Sequence, residues 1–180
     1  MTRALHRVVH LVARFFGSLV PRRVGGADRA WVAEALRANE YEVWARMPRA
    51  DRVESIDVAR RAARAIGDVN AALLDDAVAA ALLHDCGKTD AHLGTIGRTI
   101  ATLIVIAAGT RAHTWSGRPG FAGAVGRYLA HAARGGEILQ ANGARPAAVE
   151  WATAHHDATQ WPVAGLDLAT CRALAAADGE

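Results

Sequence analysis

Apolar positions along this chain recur at helical spacing from one end to the other. Residues 2 to 19 put Leu5, Val8, Val9, Val12, Phe15, Phe16 and Leu19 on one face and Arg3, Arg7, His10 and Arg14 on the other, until Pro21 stops the pattern; this predicts an amphipathic helix. Beyond the Gly25-Gly26 turn, Asp28 to Met47 predicts a second helix, packed through Trp31, Val32, Leu36 and Trp44 and broken by Pro48. A third, Ala50 to Ile66, buries Ser55, Val58, Ala59, Ala62 and Ile66, with Gly67 as its stop. Glu54 falls about 90° from the centre of that stripe, on its border, where a side chain can reach into a cleft.

Ala71 to Leu83 is apolar nearly all round, the mark of a central buried helix, and it ends on His84-Asp85 with Gly87 allowing a turn. Thr99 to Gly109 reads as another core helix, since it is about half the roughly 20 residues that a membrane span needs. A loop over Thr110 to Gly120 follows. Helices are then expected over Phe121 to Ala133, Glu137 to Asn142 and Pro146 to His156, the last opening with a proline in its first turn. Trp161-Pro162 interrupts, and Leu166 to Asp178 closes the chain. Alternating β-branched patterns are scarce, so the expected class is all-α, one helical bundle with an N-terminal helical extension.

Composition narrows the partners. The chain has 180 residues, 52% of them hydrophobic and 22% charged, enough for one respectable core. Its formal charge is +3, and its 21 basic residues, among which Lys88 is the sole lysine, are scattered rather than gathered in a tract. No nucleic-acid partner is therefore expected. Cys86 and Cys171 have no CxxC spacing, which suits free thiols in the reducing cytoplasm. Arg14 interrupts the first apolar run too early for a signal peptide. The helix of residues 2–19 either lies on the anionic inner face of a membrane, docks on its own domain, or makes a dimer contact.

The stretch AALLHDCGKTD, Ala80 to Asp90, carries the chemistry. A histidine and an acid at the end of a buried segment are costly to desolvate unless a hydrogen-bond network or a metal ion compensates. His84, His92, His131, His155 and His156 have no evident surface role, and Asp85 and Asp178 also stand at ends of apolar helices. Imidazole with carboxylate, and no thiolate pair, suits Mn, Fe or Zn. Such a site lowers the pKa of bound water from 15.7 to about 7, and a second ion at roughly 3.5 to 4 Å clamps a phosphate ester. Lys88 then supplies a point charge to a phosphate oxygen.

These residues resemble a known family, the HD-domain metal-dependent phosphohydrolases, which are all-helical bundles. LLHDCGK is similar to the segment often written HDxGK, and LAAAD, ending at Asp178, is similar to the family's distant aspartate. His131, GGEIL at Gly135 to Leu139, and His155-His156 resemble the block of an expanded, dinuclear site. The likeness spans roughly Asp51 to Asp178 and is nearer still to uncharacterised actinobacterial HD-domain proteins with an N-terminal helical extension and a GLGTxGR segment, here HLGTIGR from His92. It implies an extension over 1–48 and an HD domain over 49–180. It further implies His84, Asp85 and Asp178 as ligands of a first metal, Asp85 bridging, and His131, His155 and His156 as ligands of a second. The implied cofactor is one or two divalent ions (Mn, Fe, Mg or Zn), and the implied substrate is a small phosphate ester or nucleotide. Asp85 and Lys88 would be catalytic, with Lys88 and Arg98 meeting the phosphate.

Two departures bear on function. Where the family has its first histidine, in a segment like DRxHS, this chain reads DRVES, so Glu54 is either a substitute metal ligand or an ion-paired helix residue. After His155-His156 the chain reads DATQWPVAGL, without the GYP signature of the cyclic-dinucleotide branch, which argues against cyclic di-GMP. Two functions stay open at this point. One is a cytoplasmic metal-dependent phosphohydrolase; the other is a catalytically degenerate HD module, a regulatory or interaction domain whose working part is the N-terminal helix.

Overall fold

The computed structural model describes residues 23–67, 70–91, 93, 97, 101 and 114–179. Among them are eight α-helices and no β-strand. They are α1 (Gly26–Ala35), α2 (Ala38–Arg46), α3 (Arg49–Gly67), α4 (Leu74–Leu83), α5 (Gly120–Leu129), α6 (His131–Ala141), α7 (Pro146–Ala154) and α8 (Leu168–Asp178). Short 3-10 turns occupy Ala71–Leu73, Cys86–Ala91 and Ala158–Gln160. The expected helix over 2–19, the apolar run over 99–109 except Ala101, and the side chains of His92 and Arg98 lie outside the described residues.

α4 is the axis of the bundle. No polar residue interrupts Ala77 to Leu83, and all seven of these residues are buried. α3 and α7 flank it, α6 packs on α7 and on the Cys86–Ala91 turn, and α8 packs on α3. The alanines of α4 let its neighbours approach closely, since interaxial distance follows the side chains at the contact. The expected stripe of α3 is inside, with Ser55, Val58, Ala59, Ala62 and Ile66 all buried. Val24, Val32, Leu36, Val43, Trp44 and Met47 belong to the same continuous core as α4 and α7.

Five boundaries differ from the sequence expectation. The helix expected over Asp28 to Met47 is two helices, broken at Leu36, whose backbone is extended (φ −105°, ψ 146°). The break is held from both sides: the Glu40 carboxylate accepts the Arg37 N–H at 2.9 Å and three N–H groups of Arg145 at 2.8, 2.9 and 3.0 Å. The interruption expected near Gly135-Gly136 falls instead at Ala130, and α6 runs through both glycines. They are sites of close approach: a Cβ on Gly136 would collide with Thr153 Oγ1 of α7, and one on Gly135 would touch Gly87 N at 3.4 Å and Cys86 Sγ at 3.5 Å. The start of the Ala71 to Leu83 segment is a 3-10 turn, and α8 begins at Leu168, where the Asp167 carboxylate accepts the Thr170 N–H at 2.7 Å. α7 ends at Ala154, which leaves both histidines of the doublet outside it.

Candidate metal centre

Three helices end at one place. α4 stops one residue before His84, α5 two before His131, and α7 one before His155. The last carbonyls of a helix have no intrahelical donor, and each imidazole folds back onto the carbonyl three residues earlier. His84 Nδ1 meets Ala81 O at 2.9 Å, His131 Nδ1 meets Tyr128 O at 2.7 Å, and His155 Nδ1 meets Ala152 O at 2.9 Å. In a neutral imidazole, an Nδ1–H donated to a carbonyl leaves Nε2 with its lone pair, which is the tautomer that binds metal.

Asp85 stands between the rings. Its Oδ2 is 3.4 Å from His84 Nε2, and its Oδ1 is 3.4 Å from His131 Nε2. His84 Nε2 is also 3.6 Å from Oδ1 of Asp178, the last residue of α8. On the other side, His131 Nε2 is 3.1 Å from His156 Nε2, and the ligand nitrogens of His131, His155 and His156 all lie within 4.8 Å of one another. Donor atoms about one ion at roughly 2.0–2.2 Å stand roughly 2.8–3.6 Å apart, from right-angled to tetrahedral geometry. The direct spacings around Asp85, His84 and His131 fall in that interval.

The chemistry of the donor set fits a divalent cation as well. Nε2 of His84 and His155 and Oδ1 of Asp85 are buried and make no hydrogen bond of standard geometry, an arrangement that costs free energy unless a ligand satisfies it. Helix C-termini favour cations, and α4, α5, α7 and α8 all end at this site. Cys86, the neighbouring thiol, does not compete: burial pushes its pKa up to about 12, and its Sγ faces the Gly135 carbonyl at 3.6 Å.

The electrostatics divide the site into two halves. Burial, helped by the neighbouring His84 and His156, pushes His155 down to about 3, so its ring is neutral. Burial also lowers His131, against the pull of Asp85. For His84, burial works downward but the charges of Asp85 and Asp178 outweigh it and hold the pKa well above the usual value. Burial would raise Asp85, yet Lys88 and His84 hold it well below the carboxylate range.

The remaining expected residues take distinct places. Glu54 is half-buried on α3 and close enough to Lys88 to contribute, with Asp85 and Tyr128, to raising its pKa against burial. Lys88 is buried and ion-paired with Asp85 Oδ2 rather than extended into solvent. His156 is exposed and marks the mouth of the site. Tyr128 was not anticipated from the sequence. Its carbonyl holds His131, its ring stacks on that imidazole at 5.8 Å, and its face lies 6.0 Å from the Lys88 ammonium. The signal available in the sequence was its position three residues before a histidine at a helix end.

Comparison with family models, with curated proteins and with solved structures returns no match.

Proposed function

We propose that this chain is a metal-dependent phosphohydrolase that hydrolyses a small phosphate ester or nucleotide. The observation that carries the proposal is the common geometry of His84, His131 and His155. Each is pinned through Nδ1 to a helix-end carbonyl; Nε2 of His84 and of His131 faces Asp85, and His155 groups with His131 and His156. The resemblance of the HDCGK segment and its companion blocks to the HD-domain family supports the same reading. His84, Asp85 and Asp178 would hold one ion, with Glu54 beside them where the family has histidine, and His131, His155 and His156 a second, with Asp85 between.

When bound, divalent ions at such a site supply an acidified water and a Lewis acid for a phosphoryl oxygen. The chain's own residues do the rest. The Nδ1 hydrogen bonds stop the imidazoles from rotating, so the donors are in place beforehand. Burial of His84, Asp85 and His155 excludes bulk water and strengthens every charge interaction inside. Lys88, whose ammonium reaches the site at Asp85, would offset the negative charge that grows on a phosphoryl oxygen once it is free to turn to it.

The test is metal binding, measured before any search for substrate. Protein purified without a metal-affinity tag, assayed by elemental mass spectrometry and titrated with Mn(II), should bind one to two ions per chain, and Asp85→Ala or His155→Ala should abolish or sharply weaken that binding. At a hundredfold excess over Kd, the ion should stabilise the fold by about 2.7 kcal/mol, which for a chain of this size raises Tm by about 5–10 °C. A chain that binds no Mn(II), Fe(II) or Zn(II), or an Asp85→Ala variant that binds as wild type does, would overturn the proposal and leave the bundle as a non-catalytic module.

A further inference from the structure

Lys88 stands where a cation on Asp85 must make room. Its Nζ is in contact with Asp85 Oδ2, the oxygen that also faces His84, and the ammonium is buried, with 8% of the residue exposed. A divalent ion and an ammonium cannot both sit at contact distance on one carboxylate oxygen without strong mutual repulsion in so dry a place. The face of Tyr128 lies 6.0 Å from the same Nζ, within range of a cation–π contact, and the half-buried ring is held in place by its stack on His131.

We infer that Lys88 is the resident counter-ion of Asp85 in the metal-free site, that a divalent cation displaces it, and that Tyr128 receives the displaced ammonium and holds it for a phosphate oxygen. The inference rests on the metal-site reading above and deepens it. One side chain then couples two binding events: while paired with Asp85 the ammonium is not available to an anion, and once displaced it is. Coupling of binding equilibria is reciprocal, so phosphate tightens metal binding by the factor by which metal tightens phosphate binding. Tyr128 acts here as a positioning residue, through Lys88.

The experiment measures the Mn(II) dissociation constant of wild type, Lys88→Met, Tyr128→Phe, Tyr128→Leu and the Lys88→Met/Tyr128→Leu pair, each with and without inorganic phosphate. Lys88→Met should bind Mn(II) at least about ten-fold tighter than wild type, because the competing charge is gone. Tyr128→Phe keeps the ring face and should match wild type, whereas Tyr128→Leu should bind about three-fold more weakly. In the Lys88→Met background the Tyr128→Leu change should have no effect, and phosphate should tighten Mn(II) binding in wild type and Tyr128→Phe but not in Lys88→Met. Lys88→Met binding no tighter than wild type overturns the inference while leaving the metal site standing. A Tyr128→Leu loss that persists without Lys88 overturns the role of Tyr128, since the ring would then act on His131. Failure of every variant, Lys88→Met included, to bind Mn(II) sinks the metal-site reading and this inference with it. If Lys88→Met does not fold, the phosphate dependence decides: an equal Mn(II) affinity with and without phosphate in wild type overturns the coupling.

Discussion

Arg145 shows how much one side chain can organise. In the sequence it is one more scattered arginine before Pro146, but in the fold its buried guanidinium donates to Glu40, Asp76 and the carbonyls of Asp75 and Ala35. Burial alone would raise the Glu40 pKa; the hydrogen bonds from Arg145 and from the Arg37 N–H, with the Arg145 charge, outweigh it and hold that pKa below the usual carboxylate value. A carboxylate depressed in the folded state contributes stability that is present above its unfolded pKa and is lost as pH falls through the folded one. The urea midpoint should therefore drop in wild type as pH falls through the carboxylate range and below it, and drop less steeply in Glu40→Gln. Arg145→Met, which leaves Glu40 buried without its partner, should cost about 3–5 kcal/mol at neutral pH. A loss below about 1 kcal/mol in urea unfolding would place this pair with exposed, dispensable ones.

At the scale of elements, the site is a consequence of where helices stop. His84, His131 and His155 each sit just past a helix end, where the carbonyls of a last turn are available to accept Nδ1–H, so helix termination and ring orientation are one event. The Cys86–Ala91 turn must then approach α6 closely enough to bring Asp85 and Lys88 to His131. Gly87 permits it: a Cβ there would collide with the His131 carbonyl and come within 2.6 Å of Gly135 N, both backbone atoms that cannot rotate away. Gly87→Ala should cost about 1–3 kcal/mol and weaken Mn(II) binding, whereas Gly26→Ala, with nothing within 4 Å of the new methyl, should do neither. A Gly87→Ala protein that melts and binds metal as wild type does would show that α6 moves aside freely.

For the whole molecule, the described part of the N-terminal segment is not an appendage to the bundle. Val24, Val32, Trp44 and Met47 are buried in the core that also contains Leu82, Leu83 and Trp151, and Glu40 of α2 is tied to Arg145 at the start of α7. A chain beginning at Pro48 should therefore lose cooperative unfolding; deletion of a single buried Trp side chain costs about 3–5 kcal/mol, a large share of the 5–15 kcal/mol typical of a domain. Circular dichroism showing a cooperative melt of that fragment at the wild-type midpoint would contradict the shared core. No helix among the described residues is long and apolar enough to cross a membrane.

What the sequence determined by itself is what short-range physics controls. Helical periodicity is local, so the all-helical class, the buried stripe of α3 and the apolar axis of α4 were legible from spacing alone. The candidate ligands were legible too, because imidazoles and carboxylates at the ends of apolar helices are costly unless they are used. The tertiary structure decided whatever depends on a distant partner. Leu36 breaks a helix because Arg145, more than a hundred residues on, claims Glu40, and Gly135-Gly136 looks locally like a turn but serves as the close contact of α6 with α7 and Gly87. The approach of the Tyr128 ring to Lys88, forty residues earlier in the chain, belongs to the same class, since local spacing fixes which face a side chain occupies but only packing fixes what meets it there.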